Sequence, residues 1–364
     1  MKVQDIMSCI EEFCPLAYAE DFDNVGLLVG NSEQEVSGVL ISLDTLENVV
    51  DEAIEKECNM IVSFHPIIFS GLKKITGKTY VERVVLKAIK HDIAIYAMHT
   101  ALDNSWNGVS DRICDELGLK NKSILIPQKE TIKKLITFVP KKDAEAVRNA
   151  LFAIGAGSIG NYENCSFTVE GLGSFQGNDD SNPTIGKKGE THFEEEIQLG
   201  ITFAKHLEGK VIKTLHKAHP YEEVAYEITT LENTNQHIGM GMIGEFKKPI
   251  NEVHFMTLLK TKMNVPVVRH SALSGKMIQK VAVLGGSGSF AIGAAKRAGV
   301  DAYVTADLKY HDFFKAEGTL ILADIGHYES EQYTKNLLFE HLTKKIPNFA
   351  IILSAENTNP IKYS

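Results

Sequence analysis

The chain has no run close to the roughly 18 uninterrupted apolar residues that a membrane span needs. Its first residues, MKVQDIMSCIEEFCPLAYAEDFDN, carry acids within an apolar pattern and no small-residue cleavage site. They read as an amphipathic helix and not as a signal peptide, so the protein is expected to be cytoplasmic. Cysteine is scarce: Cys9, Cys14, Cys58, Cys114 and Cys165 are odd in number, scattered and without a CxxC pair. That excludes a disulfide framework and a thiolate zinc site, and leaves most of them as buried apolar fillers. Dense basic runs are also missing and the net charge is −9. Phosphate-backbone binding needs clustered Lys and Arg, so nucleic acid is not an expected partner. There is no short-period repeat.

What is present is an ordinary globular composition, in a chain of 364 residues that has room for two or three domains. In the first part, short apolar strands alternate with helices. Strands read at 39–43, 60–64 and 93–98, helices at 46–56, 80–91 and 108–117. This rhythm predicts βαβ units and a largely parallel sheet. The middle reads β-α-β-β-α-β, with a loop-rich stretch from Gly171 to Gly189, and predicts a ferredoxin-like α+β module. The last part returns to α/β, with strands at 278–284, 302–304, 319–323 and 350–353 and helices at 289–298, 310–317 and 329–342. The expected fold is therefore α/β: two similar α/β halves, 1–127 and 236–364, form one core, and an α+β module at 128–235 is inserted between them.

Three of these strands run into polar clusters. The strand at 60–64 meets His65-Pro66, and the strand at 93–98 meets His99 through Asn104. The strand at 319–323 meets Asp324 through Glu331. Ligands of open α/β sheets bind just beyond the carboxyl ends of strands. His327 and Glu331, four positions apart at a helix start, share one face. An imidazole and a carboxylate so placed can grip one ion or bridge two, and such mixed ligation suits zinc, iron or manganese. His65, Asp103, His327 and Glu331 are thus the candidate ligands of divalent metal. Each alone has a plainer reading: a capping histidine, a turn aspartate, a solvated glutamate. Their shared placement carries the expectation.

Seven stretches together resemble one family. They are FDNVGLLVG (22–30), SFHPIIFSGLKKI (63–75), HTALDN (99–104), HPYEEVAYEI (219–228), VLGGSGS (283–289), DLKYHD (307–312) and DIGHYESE (324–331). In this order they are similar to the Ngg-interacting-factor-three-like proteins, also called the GTP cyclohydrolase I type 2-like family, over essentially the whole chain. The resemblance implies two divalent metal ions, zinc foremost, on His65, Asp103, His327 and Glu331. It also implies a homohexamer and a PII- or CutA-like character for the insert. The family's usual pattern has two adjacent histidines before the proline. Here the first is Phe64, which cannot ligate metal.

The matching reaction is metal-dependent hydrolysis of a small molecule, such as opening of a purine imidazole ring by water with loss of formate. His99 and His311 are candidates for proton transfer, Lys309 for anionic substrate groups, and the Gly286 and Gly288 turn for a phosphate. Two rival readings stay open. Gly286-Ser287-Gly288-Ser289-Phe290-Ala291 after a strand resembles a dinucleotide fingerprint, with Asp307 where a ribose-binding acid would fall. Alternatively, the protein is a metal-binding regulator or scaffold that senses a ligand through its insert.

Overall fold

The computed structural model of the chain describes residues 1–364. It divides into two units, one made of Met1–Pro127 together with His237–Ser364, the other of Gln128–Gln236. The architecture is mixed α/β. No helix is long and apolar enough to cross a membrane.

The first unit holds two sheets. One has the strand order Gly26–Val29, Ala94–Ala97, Met60–Ser63, Val39–Ser42, Ile351–Leu353. Its last four strands are parallel and Gly26–Val29 is an antiparallel edge. The three central strands are buried at every position. That is why they read as continuous apolar runs and not as alternation: helices cover both faces of a parallel sheet. The other sheet runs Arg269–His270, Ile321–Asp324, Ala302–Ala306, Met277–Ser287, Gly239–Asn251, Lys120–Pro127. Only its three middle strands are parallel to one another.

Each half gives its last strand to the other half's sheet. Lys120–Pro127 pairs with Gly239–Asn251, and Ile351–Leu353 pairs with Val39–Ser42. The halves are therefore interlocked. One hydrophobic cluster, containing Val39, Met60 and Tyr96 from one sheet and Val281, Val304 and Ile321 from the other, joins them.

The parallel strands were legible, and their observed bounds differ from the expected ones by one to three residues. The edges were not. Gly26–Val29, Lys120–Pro127 and Gly239–Asn251 are antiparallel strands that carry glycine or lysine and lack a long apolar run. Three helices also differ from expectation, and the one expected over 310–317 is a 3₁₀ helix, Tyr310–Ala316. The stretch expected as a helix over 289–298 is a 3₁₀ turn at Ser289–Ala291 and a six-residue helix, Ile292–Arg297. The helix expected over 329–342 is two helices, His327–Glu331 and Thr334–Lys345.

The second unit runs strand Ile132–Pro140, helix Ala144–Phe152, strand Phe167–Gln176, strand Thr191–Ala204, helix Glu208–Ala218, strand Tyr226–Leu231. The four strands form one antiparallel sheet in which the first and third are central. Leu135, Val139, Leu199, Ile201 and Phe203 point from the sheet to Val147, Leu151, Val211 and Leu215 of the helices. The stretch expected as loop from Gly171 begins as strand and turns to loop only after Gln176. Phe167–Gln176 is an exposed edge strand, so burial does not impose the alternation that marks a half-buried strand.

Candidate metal centre

His65 follows the strand Met60–Ser63 by two residues, and His99 follows Ala94–Ala97 by two. His327 follows Ile321–Asp324 by three and opens a five-residue helix that ends at Glu331. Parallel pairing aligns the carboxyl ends of neighbouring strands, so these side chains emerge at the sheet margins. His65, His327 and Glu331 come together, their ligating atoms within 4.8 Å of one another. Glu331 is 3 % exposed, and its Oε2 lies 3.1 Å from His65 Nε2 and 3.3 Å from His327 Nε2.

The other nitrogen of each ring is already committed. His65 Nδ1 lies 2.8 Å from Asp44 Oδ1, and His327 Nδ1 lies 2.7 Å from Asp307 Oδ2. Asp44 is in turn fixed by the Thr358 hydroxyl, which donates to its Oδ2 at 2.5 Å. His99 has the same arrangement: its Nδ1 lies 2.9 Å from Asp23 Oδ1, while the backbone N–H of Thr100 donates to Asp23 Oδ2 at 3.0 Å. An aspartate on Nδ1 fixes the tautomer and ring plane and leaves Nε2 to face the site.

This arrangement tests whether a cation fits. With Nδ1–H donated to the aspartates, two Nε2 lone pairs face one buried carboxylate oxygen. Lone pairs do not bond to a carboxylate, so either protons or a metal ion must lie between. Without metal, protons take that place. Burial works against charge on His65, but the hydrogen bonds and charges of Asp44 and Glu331 outweigh it and hold its pKa up at about 10. His327 is raised to about 9 against burial by Glu331 and Asp307. Burial likewise opposes the charge of Glu331, yet His327 and His65 bring it down to about 2. The site is thus built to hold positive charge against Glu331.

Asp103 ends the short helix His99–Asp103. Burial, then the charge of Glu331, push its carboxyl well above the usual range, while His65 and His327 pull it down. Asp103 is not among the three residues whose ligating atoms lie within 4.8 Å of one another. Phe64 is fully buried, with its ring 4.9 Å from that of His65 and 5.4 Å from that of His99, and offers no donor.

The glycine turn serves Glu331. At Gly286, φ is +65° and any Cβ would collide with the Glu331 carboxylate; its N–H donates to Ser330 Oγ at 2.8 Å. At Gly288 a Cβ would collide with Thr305 and Tyr303, whose hydroxyl donates to the Gly288 carbonyl at 2.9 Å. Both glycines thus permit close packing of protein side chains, and a three-residue 3₁₀ turn, Ser289–Ala291, follows them. Lys309 is exposed and precedes a 3₁₀ helix, its backbone N–H donating to Asp312. His311 is exposed in a ring cluster with Tyr310 and Phe314. The hydrogen bonds and ring contacts of these two residues do not involve His65, His327 or Glu331. The sequence reading missed Asp44 and Asp23, and placed Asp307 only in the rival dinucleotide reading, as a ribose-binding acid.

A family model described as Duf34/NIF3 (NGG1p interacting factor 3) matches residues 1–360. The chain belongs to this family. It is 40% identical over 370 residues to a Bacillus subtilis protein named GTP cyclohydrolase 1 type 2 homolog, covering 99% of this chain and 98% of that one. A Staphylococcus aureus protein of the same name is 34% identical over the full length of both. The crystal structure of a Bacillus cereus protein related to NIF3 matches with a TM-score of 0.87 at 37% identity, covering 100% of this chain and 99% of the other.

Proposed function

We propose that this member of the Duf34/NIF3 family is a metal-dependent hydrolase that holds two divalent ions on His65, Asp103, His327 and Glu331. The observation that carries the reading is the convergence of two aspartate-oriented Nε2 atoms on one buried carboxylate oxygen of Glu331. A carboxylate with an imidazole on either side suits a bridging role, and Asp103 supplies a further carboxylate beside it. Zinc fits this mixed nitrogen and oxygen set, as do iron and manganese. With Phe64 where a ligand could stand, one ion has fewer protein donors than the other.

Two close divalent ions, when bound, lower the pKa of a shared water and clamp an oxygen-rich substrate. The chain's own residues do the rest. Asp44 and Asp307 keep the ligand imidazoles in the metal-facing tautomer. Asp23 holds His99 with its ring 5.2 Å from that of His65, so that its Nε2 is available to accept or return a proton. The names of the curated relatives support a GTP cyclohydrolase type of reaction: water adds to the purine imidazole ring and formate leaves.

The insert fits a ferredoxin-like module of PII or CutA type, on the strength of its strand order with the first and third strands central. A ring of six copies is the assembly that goes with the family resemblance. One observation favours a second, sensing role. A cavity of about 810 Å³ in the inserted unit is lined by Phe138, Leu172, Phe175, Glu196 and Tyr221, among others.

Elemental analysis of the purified protein beside Asp103→Ala and Glu331→Ala, followed by a formate-release assay with GTP, tests the reading. Near two ions per chain, lost in the variants together with turnover, is the expected result. No metal after reconstitution would overturn it. Metal with tight ligand binding but no turnover would favour the regulator.

A further inference from the structure

Ring contacts run from the metal ligands to the surface without a break. His327 meets His65 at 5.5 Å between centroids, His65 meets His99 at 5.2 Å, His99 meets Phe69 at 6.3 Å, and Phe69 meets Phe22 at 6.5 Å. The last two rings are 50 % and 66 % exposed. Two neighbouring phenylalanines turned to solvent forgo part of the stabilisation that burial gives an apolar ring.

They are nonetheless held in place. Three consecutive residues do this: Phe22 packs on Phe69, Asp23 grips His99 and Thr100, and the Asn24 amide donates to the Ile68 carbonyl. The far end of the Phe69 loop is tied too, with the Thr76 N–H and hydroxyl both donating to Glu82 at 2.7 Å. Between these ties the loop carries Lys73 and Lys74, both exposed and neither in an ion pair. A rigid aromatic face beside a metal centre, followed on the same loop by two unpaired ammonium groups, matches a ligand with a planar ring at one end and anionic charge at the other.

We infer that Phe69, backed by Phe22, is the surface on which the planar base of a nucleotide-class substrate stacks, and that Lys73 and Lys74 receive its phosphates. The inference rests on the metal-hydrolase reading and names the substrate class of that site. Stacking explains why the rings are exposed: they are covered only when the substrate is bound. It also sets the base within reach of the groups on His99 and the metal ligands.

The test is calorimetric titration of the zinc-loaded full chain with GTP and, separately, with inorganic tripolyphosphate. Metal content and oligomeric state are measured on the same samples. Phe69→Ala is expected to weaken GTP binding roughly ten- to hundredfold and to leave tripolyphosphate binding unchanged, with Phe69→Trp restoring GTP affinity. The double change Lys73→Ala and Lys74→Ala is expected to weaken both ligands. Phe69→Ala binding GTP as tightly as the wild type would overturn the inference. So would GTP binding no better than tripolyphosphate, no GTP binding by the wild type, or a Phe69→Ala protein altered only in its oligomeric state. Loss or absence of metal in the wild type would instead count against the hydrolase reading, because stacking and metal content are read independently.

Discussion

The two α/β halves reach the candidate metal centre by the same local device. In the N-terminal half, Val39–Ser42 is followed by Asp44 and its parallel neighbour Met60–Ser63 by His65. In the C-terminal half, Ala302–Ala306 is followed by Asp307 and its parallel neighbour Ile321–Asp324 by His327. Aspartate and histidine are 21 residues apart in one half and 20 in the other. In both, the length of one crossover and one strand sets that spacing, and parallel pairing brings the ends together. The halves differ in what surrounds the pair. Asp44 is 30 % exposed and bonded to Thr358, Asp307 is 46 % exposed and sits at a left-handed φ of +57°. Only the C-terminal half supplies Glu331, and only the N-terminal half supplies Asp103 and His99. The centre is thus two copies of one orienting device, made into a site by residues that are not duplicated.

The largest expected effect comes from removing what the two devices share. Glu331→Ala leaves two imidazoles with no common acceptor and a hole where a buried carboxylate stood. Metal content should fall to background. The metal-free protein should also lose roughly 3–5 kcal/mol of stability, as when one member of a buried ion pair is deleted. Denaturant unfolding and elemental analysis read both. A Glu331→Ala protein that keeps its metal would mean that each half binds its ion alone.

The devices can then be set against each other. Asp44→Asn and Asp307→Asn put an amide beside Nδ1, which can donate and so favour the tautomer with its proton on Nε2, pointing at the metal. A loss of metal affinity of about 10- to 100-fold is expected for each. Asp44→Asn should cost more, because Asp44 is less exposed and better fixed. Competition with a chelator measures it, and equal losses would show that exposure and the Thr358 bond do not matter.

Much of this comparison could be read from sequence, for a physical reason. The parallel strands are buried on both faces and stand out as apolar runs, so the polar residues ending them stand out too. His65, Asp103, His327 and Glu331 were singled out that way, the last two also by helical spacing, and the structure brings His65, His327 and Glu331 together. The orienting aspartates were not, because Asp44, Asp307 and Asp23 look like any turn aspartate until strand pairing lays them against a histidine. The glycine turn was ambiguous in sequence for a related reason. A glycine that lets a phosphate approach and one that lets Glu331 approach have the same sequence signature, and only the collision a Cβ would make tells them apart.

Phe64 breaks the evenness of the ligand set within the N-terminal half, and Phe64→His should repair it. The position is buried against His65 and His99, and an imidazole is smaller than a phenyl ring, so the change is tolerated if metal satisfies the new nitrogen. The weaker of two ions should bind about tenfold tighter or better, near 1.4 kcal/mol. Zinc titration would show it as a second site moving toward the affinity of the first. An unchanged isotherm would mean that the ring at this position does not face the ions.

The smallest effect expected is on the metal-free protein's response to pH, and it separates protons from metal as the cation of the site. His65 and His327 have folded pKa values raised to about 10 and about 9. Their ordinary value is about 6.5. A raised folded value means that the native state holds protons the unfolded chain has given up. The stabilisation is therefore complete below about pH 6.5 and is lost as pH rises through 9 to 10. Glu331, lowered to about 2, contributes in the opposite direction: its stabilisation is present above its ordinary value near 4.5 and is lost as pH falls toward 2. Between pH 7 and 10 the melting temperature of the metal-free protein should thus fall, on the order of a few degrees. The zinc-loaded protein should show no such slope from these groups, because its histidines are already deprotonated and its Glu331 is matched by metal. Parallel melting curves for the two forms across that range would mean that the imidazoles carry no extra protons in the metal-free state. The lone pairs would then have to be accommodated by rotation of the rings away from Glu331, and the convergence of both devices on one oxygen would exist only with metal bound.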